Sequence, residues 1–425
     1  MIAHKPLLCM PAGLDPVWVL LSRSASTALD STIMVSAISR AAFVLLLCLP
    51  PIGIAQASLS ARQIAEINGL FAPFDHEGSP GYALGIVKDG ALIFERGYGR
   101  ADLDNNVPIT PRTSFHLASL SKQFTAAAVA LLILDGKLSL ETPVANYFPK
   151  LKTYGADIKI KHLLYFTSGL PDYTTLPRAS KDPWFSFYYF TTDEAIAATL
   201  RAGKTKFPPG TQWDYSNVNY MMLAKIVERV SKESLSEFLA TRVFAPLQMS
   251  NSDLNDDSTL IIANRATGYA DRSDPSVLKD LRSVGIFVRP GSGFLRLPRV
   301  SPHYGGSGVF STIEDLAKWD ASFYSNSLAG PRFTQLMLRR EKFSHDKDND
   351  ALGLVFGDFD GRQMLWFSGD DLDSSTFMAR LPQEHLTGIC LSNMPKGHAE
   401  DHARAVLSIV LNSKVDSGFS QPTRP

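Results

Sequence analysis

Short apolar segments typical of β-strands lie near both ends of the chain. Two pairs of them are joined by Asp-Gly, a dipeptide that favours tight hairpin turns because both residues tolerate positive φ. The paired segments are 82–88 with 91–99, 352–359 with 362–369, and 375–382 with 386–393. This pattern predicts one antiparallel sheet built from both ends of the chain.

The middle of the chain has helical periodicity instead. Thr191 with Glu194 and Ser311 with Glu314 form capping boxes, and other segments stop at glycine. A stretch rich in Pro, Gly and Arg over 271–304 predicts a long irregular loop. The predicted helices are 119–134, 191–202, 218–230, 235–244, 311–323 and 398–411.

Together these elements predict an α/β (α+β) fold. Strands from the N- and C-terminal parts form an antiparallel sheet flanked by helices, and a mostly helical region is inserted between its halves. The chain has 425 residues, 45% of them hydrophobic, enough for one large or two to three small domains. We expect a single domain over 58–412 and a flexible tail over 413–425.

The first residues predict export. Residues 34–57 contain a basic residue, an apolar stretch over 41–49 and an A-x-A cleavage pattern that ends at Ala57. The apolar stretch is shorter than the ~20 residues of a membrane span. We therefore expect a signal peptide over 34–57, translation from Met34, an over-called extension over 1–33, and a periplasmic or secreted protein without an integral membrane segment.

Charge and cysteine content narrow the range of partners. The 42 Lys and Arg residues balance 42 Asp and Glu residues without a basic block, which disfavours binding to nucleic acid or anionic membranes. Cys390 is the one cysteine left after the predicted leader. It lies in an apolar segment and indicates a buried residue without a disulfide.

Ser119 and Lys122 form a Ser-x-x-Lys pair at the start of a predicted helix. Three residues are nearly one helical turn, so the two side chains share a face. A serine hydroxyl needs a base to become a nucleophile, and lysine is such a base only when burial or nearby cations lower its pKa. On its own the pair is equally typical of a capped helix with an exposed lysine.

Four longer segments of the sequence, the first of which contains the Ser-x-x-Lys pair, carry a resemblance to a known family. Residues 97–140, 158–173, 207–228 and 305–319 resemble, in order, segments of the serine β-lactamase and penicillin-binding-protein superfamily. The resemblance is strongest to the branch of class C β-lactamases, DD-peptidases and esterases. It implies a β-lactamase/transpeptidase-like fold.

The resemblance also implies residue roles. Ser119 would be the nucleophile that forms an acyl-enzyme, and Lys122 would relay its proton. Tyr215 would act as a base, and Asn217, two residues later, would bind Lys122 and the substrate. A tyrosine with a usual pKa of ~10 can act as a base near neutral pH only beside cations.

The third motif of this branch is a strand that carries Lys-Thr-Gly, His-Thr-Gly or His-Ser-Gly. Here the strand reads Phe367, Ser368, Gly369 and Asp370, so Phe367 replaces the basic residue. The resemblance implies that these residues contact the substrate and that the Asp370 N–H completes the oxyanion hole. Phe166 likewise stands where relatives commonly have histidine.

Two hypotheses of function follow. The first is a serine hydrolase that acts on small-molecule or peptide esters or amides, with weak β-lactamase and carboxypeptidase activity because Phe367 offers no partner to a substrate carboxylate. The second is a non-catalytic protein on the same scaffold that binds cell-wall peptides or another ligand. The sequence does not indicate an oligomeric state.

No cofactor or metal is predicted. His398 and His402 have the i, i+4 spacing of zinc ligands, but the glutamate of such motifs is displaced by one position, and a solvated helix face is the simpler interpretation. His116 and His303 lie close in sequence to motif residues and are additional candidates for the site.

Overall fold

The computed structural model describes residues 58–181, 184, 188–283, 286–289, 291–297, 299–343 and 350–412. The predicted signal peptide, the upstream extension and the tail lie outside these residues. Within the described ranges, no helix is long and apolar enough to span a membrane.

The elements are numbered in chain order. The strands are β1 Tyr82–Lys88, β2 Ala91–Tyr98, β3 Arg100–Asp102, β4 Val107–Pro108, β5 Phe115–His116, β6 Asp253–Leu254, β7 Tyr269–Asp271, β8 Phe294–Arg296, β9 Val309–Ser311, β10 Val355–Phe359, β11 Arg362–Asp371, β12 Ser374–Leu381 and β13 Leu386–Ser392. The α-helices are α1 Ala61–Phe71, α2 Lys122–Leu134, α3 Ile160–Leu164, α4 Thr192–Ala202, α5 Asn217–Ser231, α6 Leu235–Leu239, α7 Pro275–Ser283, α8 Ile313–Ser325, α9 Pro331–Met337 and α10 Ala399–Leu411.

The central sheet has the order β10-β11-β12-β13-β1-β2, and every neighbouring pair is antiparallel. Pairing of β1 with β13 joins the two ends of the chain, as the sequence predicts. Asp89 and Gly90 have φ values of 52° and 77°, and Asp360 and Gly361 have 53° and 75°. These positive angles are those of the tight turns for which Asp-Gly is suited.

Helices cover both faces of this sheet. The terminal helices α1 and α10 pack on one face over a core that includes Phe71, Cys390 and Leu407. On the other face, α8 packs on the sheet and the larger core extends to α2 and α5. The predicted α/β arrangement with a helical insertion is confirmed, and Cys390 is a buried free thiol as expected.

Two local predictions are wrong. Helix α8 is capped by Thr312, whose hydroxyl accepts from Asp315 N at 3.2 Å, because Ser311 is the last residue of β9. The predicted loop over 271–304 contains α7 and β8. Val277 and Leu281 on α7 pack with Leu295 on β8 in a small separate core, and this burial stabilises both elements.

Candidate active site

Ser119 lies in a single 3₁₀ turn, Ala118–Ser121, that leads directly into α2. The turn is anchored to β9, because Leu117 N donates to Val309 O at 2.8 Å and Val309 N donates to Ser121 Oγ at 3.1 Å. Ala118 has a φ of 46°, a strained value that a small side chain tolerates best. The backbone thus fixes the position of the Ser119 hydroxyl.

The four residues of the first two motifs meet at this turn. Lys122 Nζ lies 3.0 Å from Ser119 Oγ and 2.9 Å from Asn217 Oδ1. Tyr215 Oη lies 2.6 Å from Ser119 Oγ and donates to Asn217 Oδ1 at 3.3 Å. Ser119 Oγ therefore has an amine and a phenol within hydrogen-bond distance.

Burial determines the protonation of Lys122. Loss of hydration lowers the pKa of the Lys122 amine to about 7, although Asp172 and Asp371 act in the opposite direction. A neutral amine has two N–H donors and one lone pair. The acceptors Asn217 Oδ1 and Gly306 O, the latter 2.6 Å away, take the donors, so the lone pair faces Ser119 Oγ. This arrangement suits a base.

Tyr215, in contrast to Lys122, is not poised to act as a base. The residue exposes 37% of its surface, but its hydroxyl points inward to Ser119 Oγ. Removal of this hydroxyl from water raises the Tyr215 pKa well above its usual value, and the carboxylates of Asp172 and Asp370 raise it further. The phenol keeps its proton near neutral pH, which favours Lys122 over Tyr215 as the base.

Phe166, which stands where the resemblance implies a histidine, packs behind Tyr215. Its ring centroid lies 4.9 Å from that of Tyr215 and 5.3 Å from that of Tyr220. Its carbonyl accepts from Asp214 N at 2.9 Å, next to Tyr215. Phe166 therefore supports the Tyr215 segment through packing.

The end of β11 passes directly beside the nucleophile turn. Pairing with β10 stops at Trp366, so the outer edge of the remaining residues is open to this turn. A Cβ added to Gly369 would lie 2.8 Å from Ser119 N and 2.3 Å from Leu117 O. Such distances are too short for any side chain, so the close approach requires glycine.

Phe367 and Ser368 do not line the cavity at Ser119. Phe367 pairs with Met378 and is buried with it in the core on the nucleophile's side of the sheet. Ser368 pairs with Phe377, whose side chain belongs to the core on the opposite face. Because residues paired across strands project to the same face, Ser368 points away from the nucleophile. The structure does not support direct substrate contacts for these two residues.

The cavity at Ser119 has a volume of about 220 Å³. Asp370 and Asp371 form an acidic part of its wall, while Tyr173, Trp184 and Phe190 form an aromatic part. Burial raises the pKa of Asp370, and Arg299 Nη1 lies 3.4 Å from Asp371 Oδ2. Among the described residues that line the cavity there is neither lysine nor arginine.

Asp172 holds the second motif in place and is absent from the sequence prediction. Its carboxylate accepts hydrogen bonds from Asn217 N at 2.5 Å and from Ser216 Oγ at 3.2 Å. A third bond comes from Thr174 N at 3.0 Å. Asp-x-Thr is a turn signal in the sequence, but it gives no indication of the contact with Asn217.

We expect Asp172→Asn to move the acidic limb of the pH profile of kcat/KM to lower pH. The substitution removes a negative charge that favours the Lys122 ammonium, so the amine becomes neutral at lower pH. At high pH, kcat/KM is expected to fall by on the order of tenfold, because a neutral acceptor holds Asn217 N less strongly. Initial rates on a p-nitrophenyl ester between pH 5 and 9 measure both effects, and an unmoved limb would contradict the coupling.

The four histidines considered in the sequence analysis fall into two groups. His303 lines the cavity and His116 is buried nearby, bonded to Asp373 at 2.8 Å. His398 is exposed, but His402 is buried against Phe71 and Tyr82, which corrects the prediction of a fully solvated helix face.

One group of possible metal ligands occurs in the described part of the chain: His116, Asp371 and Asp373. Arg299 lies beside Asp371, and both Arg299 and Arg265 act electrostatically on Asp373. Two guanidinium groups already compensate the two carboxylates and would repel a cation. These residues do not fit a metal site.

Comparisons with known proteins agree with the fold. The Beta-lactamase family model matches residues 67–411. A D-aminopeptidase of Brucella canis is 30% identical over 251 residues, which cover 58% of this chain and 43% of that protein. The chain thus spans less than half the length of this relative.

Solved structures show the same fold. The octameric penicillin-binding protein homologue from Pyrococcus abyssi has a TM-score of 0.68 at 23% identity and covers 84% of this chain and 78% of its own. The D-amino acid amidase from Ochrobactrum anthropi SV3 complexed with D-phenylalanine has a TM-score of 0.67 at 23% identity and covers 82% and 99%. The chain belongs to the beta-lactamase family.

Proposed function

We propose that this protein is a serine hydrolase that forms an acyl-enzyme on Ser119 and acts on small amide, ester or peptide substrates. The observation that carries the proposal is Ser119 Oγ, which lies between the buried amine of Lys122 and the phenol of Tyr215. The names of the relatives, D-aminopeptidase and D-amino acid amidase, support the same type of reaction.

Acylation begins with a proton transfer. The Lys122 amine takes the Ser119 proton as Oγ attacks the substrate carbonyl. The developing oxyanion is bound by the N–H groups of Ser119 and Asp370. Gly369 precedes Asp370, and its lack of a side chain allows β11 to approach the Ser119 turn closely. The proton then passes from the Lys122 ammonium to the leaving amine or alcohol, with the Tyr215 hydroxyl beside it as a relay. Water releases the acyl group by the same steps.

The cavity wall favours amine-bearing substrates over carboxylates. Asp371 projects to the nucleophile's side of the sheet and can pair with a substrate ammonium, whereas no lysine or arginine among the described lining residues pairs with a substrate carboxylate. A hydrogen bond between charged groups contributes about 1.5–3 kcal/mol, or roughly 10- to 100-fold in kcat/KM. We therefore propose amides and esters with a free amine as the preferred class.

A substrate panel tests this function. A fluorophosphonate probe is expected to label the protein, and a D-amino-acid amide to be hydrolysed with kcat/KM about 10- to 100-fold above its N-acetylated counterpart. Nitrocefin, which carries a carboxylate, is expected to turn over weakly. Efficient nitrocefin hydrolysis would contradict the substrate class, and absence of both labelling and turnover would favour the non-catalytic binding protein.

Export is also part of the proposal. Residues 34–57 have the pattern of a signal peptide, which supports a periplasmic or secreted enzyme. N-terminal sequencing of the protein from the cells that produce it is expected to begin at Ser58, and a retained leader would contradict export.

A further inference from the structure

A second serine lines the same cavity as Ser119 and is not used in the proposed mechanism. Ser307 Oγ lies 3.4 Å from His116 Nε2, and His116 Nδ1 lies 2.8 Å from Asp373 Oδ1. Each of the three residues is buried to more than nine-tenths, and Ser307 is at the cavity wall. The set has the serine, imidazole and carboxylate of a nucleophilic triad in the order that the chemistry requires.

The tautomer of His116 follows from its partners. The Asp373 carboxylate accepts only, so His116 Nδ1 carries the proton and donates it. Burial opposes ionisation of Asp373, but the hydrogen bond from His116 Nδ1 and the charges of Arg299 and Arg265 help to hold the pKa of this carboxyl below its usual value. In the neutral form of His116, Nε2 is then a bare acceptor within reach of the Ser307 hydroxyl, as a general base must be.

His303 does not compete for the same proton. Its Nε2 also lies 3.4 Å from Ser307 Oγ, but Arg299 Nη1 donates to this nitrogen at 3.4 Å. Its Nδ1 must donate to Ser301 Oγ at 2.9 Å, because the Ser301 proton goes to Phe190 O at 2.6 Å. Both nitrogens of His303 are thus occupied, which leaves His116 as the acceptor for Ser307.

We propose that Ser307, with His116 as base and Asp373 as its orienting carboxylate, is a second nucleophile that opens on the Ser119 cavity and accepts acyl groups from small activated esters. Ser307 Oγ forms a bond to the ester carbonyl carbon while its proton moves to His116 Nε2. The C–O bond to the alcohol then breaks, and His116 returns the proton to the leaving oxygen. Water hydrolyses the resulting ester by the same transfers in reverse.

The test separates the two serines by the site of labelling. Wild type, Ser119→Ala, Ser307→Ala and the double variant are treated with a fluorophosphonate, and the modified peptide is identified by mass spectrometry. In this reaction the serine oxygen displaces fluoride and His116 takes the proton. We expect Ser119→Ala to be labelled at Ser307, and the double variant to be labelled at least 100-fold more slowly. Circular dichroism establishes that each variant is folded.

The outcomes are distinct. Wild type labelled at Ser119 with an unlabelled Ser119→Ala variant overturns the Ser307 proposal and leaves the Ser119 mechanism intact. Label on Ser307 alone in the wild type supports Ser307 and contradicts the Ser119 mechanism. Asp373→Asn in the Ser119→Ala background is expected to slow labelling of Ser307 at least tenfold, and the same change in the otherwise wild-type chain is expected to leave labelling of Ser119 unchanged.

Discussion

Replacing Lys122 with methionine is expected to lower kcat/KM by about 10⁴-fold, the upper range for loss of a general base. Methionine has a similar length and fits the fully buried position, but it accepts no proton from Ser119. The substitution removes a buried amine and leaves the acceptor Gly306 O without this donor, two effects that oppose each other in stability. The large change is therefore expected in turnover rather than in folding.

The same group sets the pH dependence of the wild-type enzyme. Only the neutral amine can take the Ser119 proton, and the Lys122 pKa is about 7. The sign follows directly: kcat/KM falls about tenfold for each pH unit below 7 and levels off above the pKa. Stopped assays on a p-nitrophenyl ester between pH 5 and 9 measure this limb. A profile that is flat across pH 7 would show that another group is the base.

Lys318→Met is the matched control, because Lys318 bonds Gln248 O and Asp315 on α8 outside the cavity lining. It is expected to retain kcat/KM within about twofold, because both of its bonding partners lie outside the cavity lining. Equal losses in both variants would indicate a general effect of removing lysine rather than loss of a base.

The sequence predicts those elements of the fold that depend on residues close together in the chain. Asp89-Gly90 and Asp360-Gly361 determine hairpins because few other residues adopt their backbone angles, and Ser119 with Lys122 follows from helical spacing. Helix α7 could also have been found, since Asp274 accepts from Ser276 N at 2.8 Å and Pro275 occupies the first helical position.

The missed features depend on tertiary contacts. A strand repeats every two residues, so its sequence shows two faces but not which one meets the nucleophile. The resemblance therefore implies a substrate contact for Ser368 without showing that this residue faces away from Ser119. The choice between Lys122 and Tyr215 as the base depends on how deeply each polar group is buried, which motif spacing does not reveal. Asp172 contacts Asn217 across 45 residues of sequence, and no local pattern predicts that bond.

Replacing Gly369 with alanine is expected to lower both stability and activity. The added methyl group would lie 2.3 Å from Leu117 O, 2.6 Å from Thr376 Oγ1 and 2.8 Å from Ser119 N. The first and last of these are backbone atoms, so relief requires β11 to move away from the nucleophile turn. Overpacking of this kind costs about 1–3 kcal/mol of the free energy of unfolding.

The catalytic effect of this substitution follows from the same displacement. The N–H groups of Ser119 and Asp370 must converge on one oxyanion, and separating strand from turn pulls them apart. Loss of one oxyanion donor lowers kcat by about 10²- to 10³-fold, so Gly369→Ala is expected to lower kcat more than it raises KM. Urea unfolding and ester kinetics measure the two effects separately.

Gly69→Ala provides the control for the glycine substitution itself. Gly69 lies inside α1, and a Cβ placed there meets no atom within 4 Å. Alanine at this site is expected to raise the free energy of unfolding by about 0.5–1 kcal/mol and to leave kcat unchanged. If Gly369→Ala retained wild-type kcat, β11 would not form the oxyanion hole, and the acyl-enzyme on Ser119 would require another donor for its transition state.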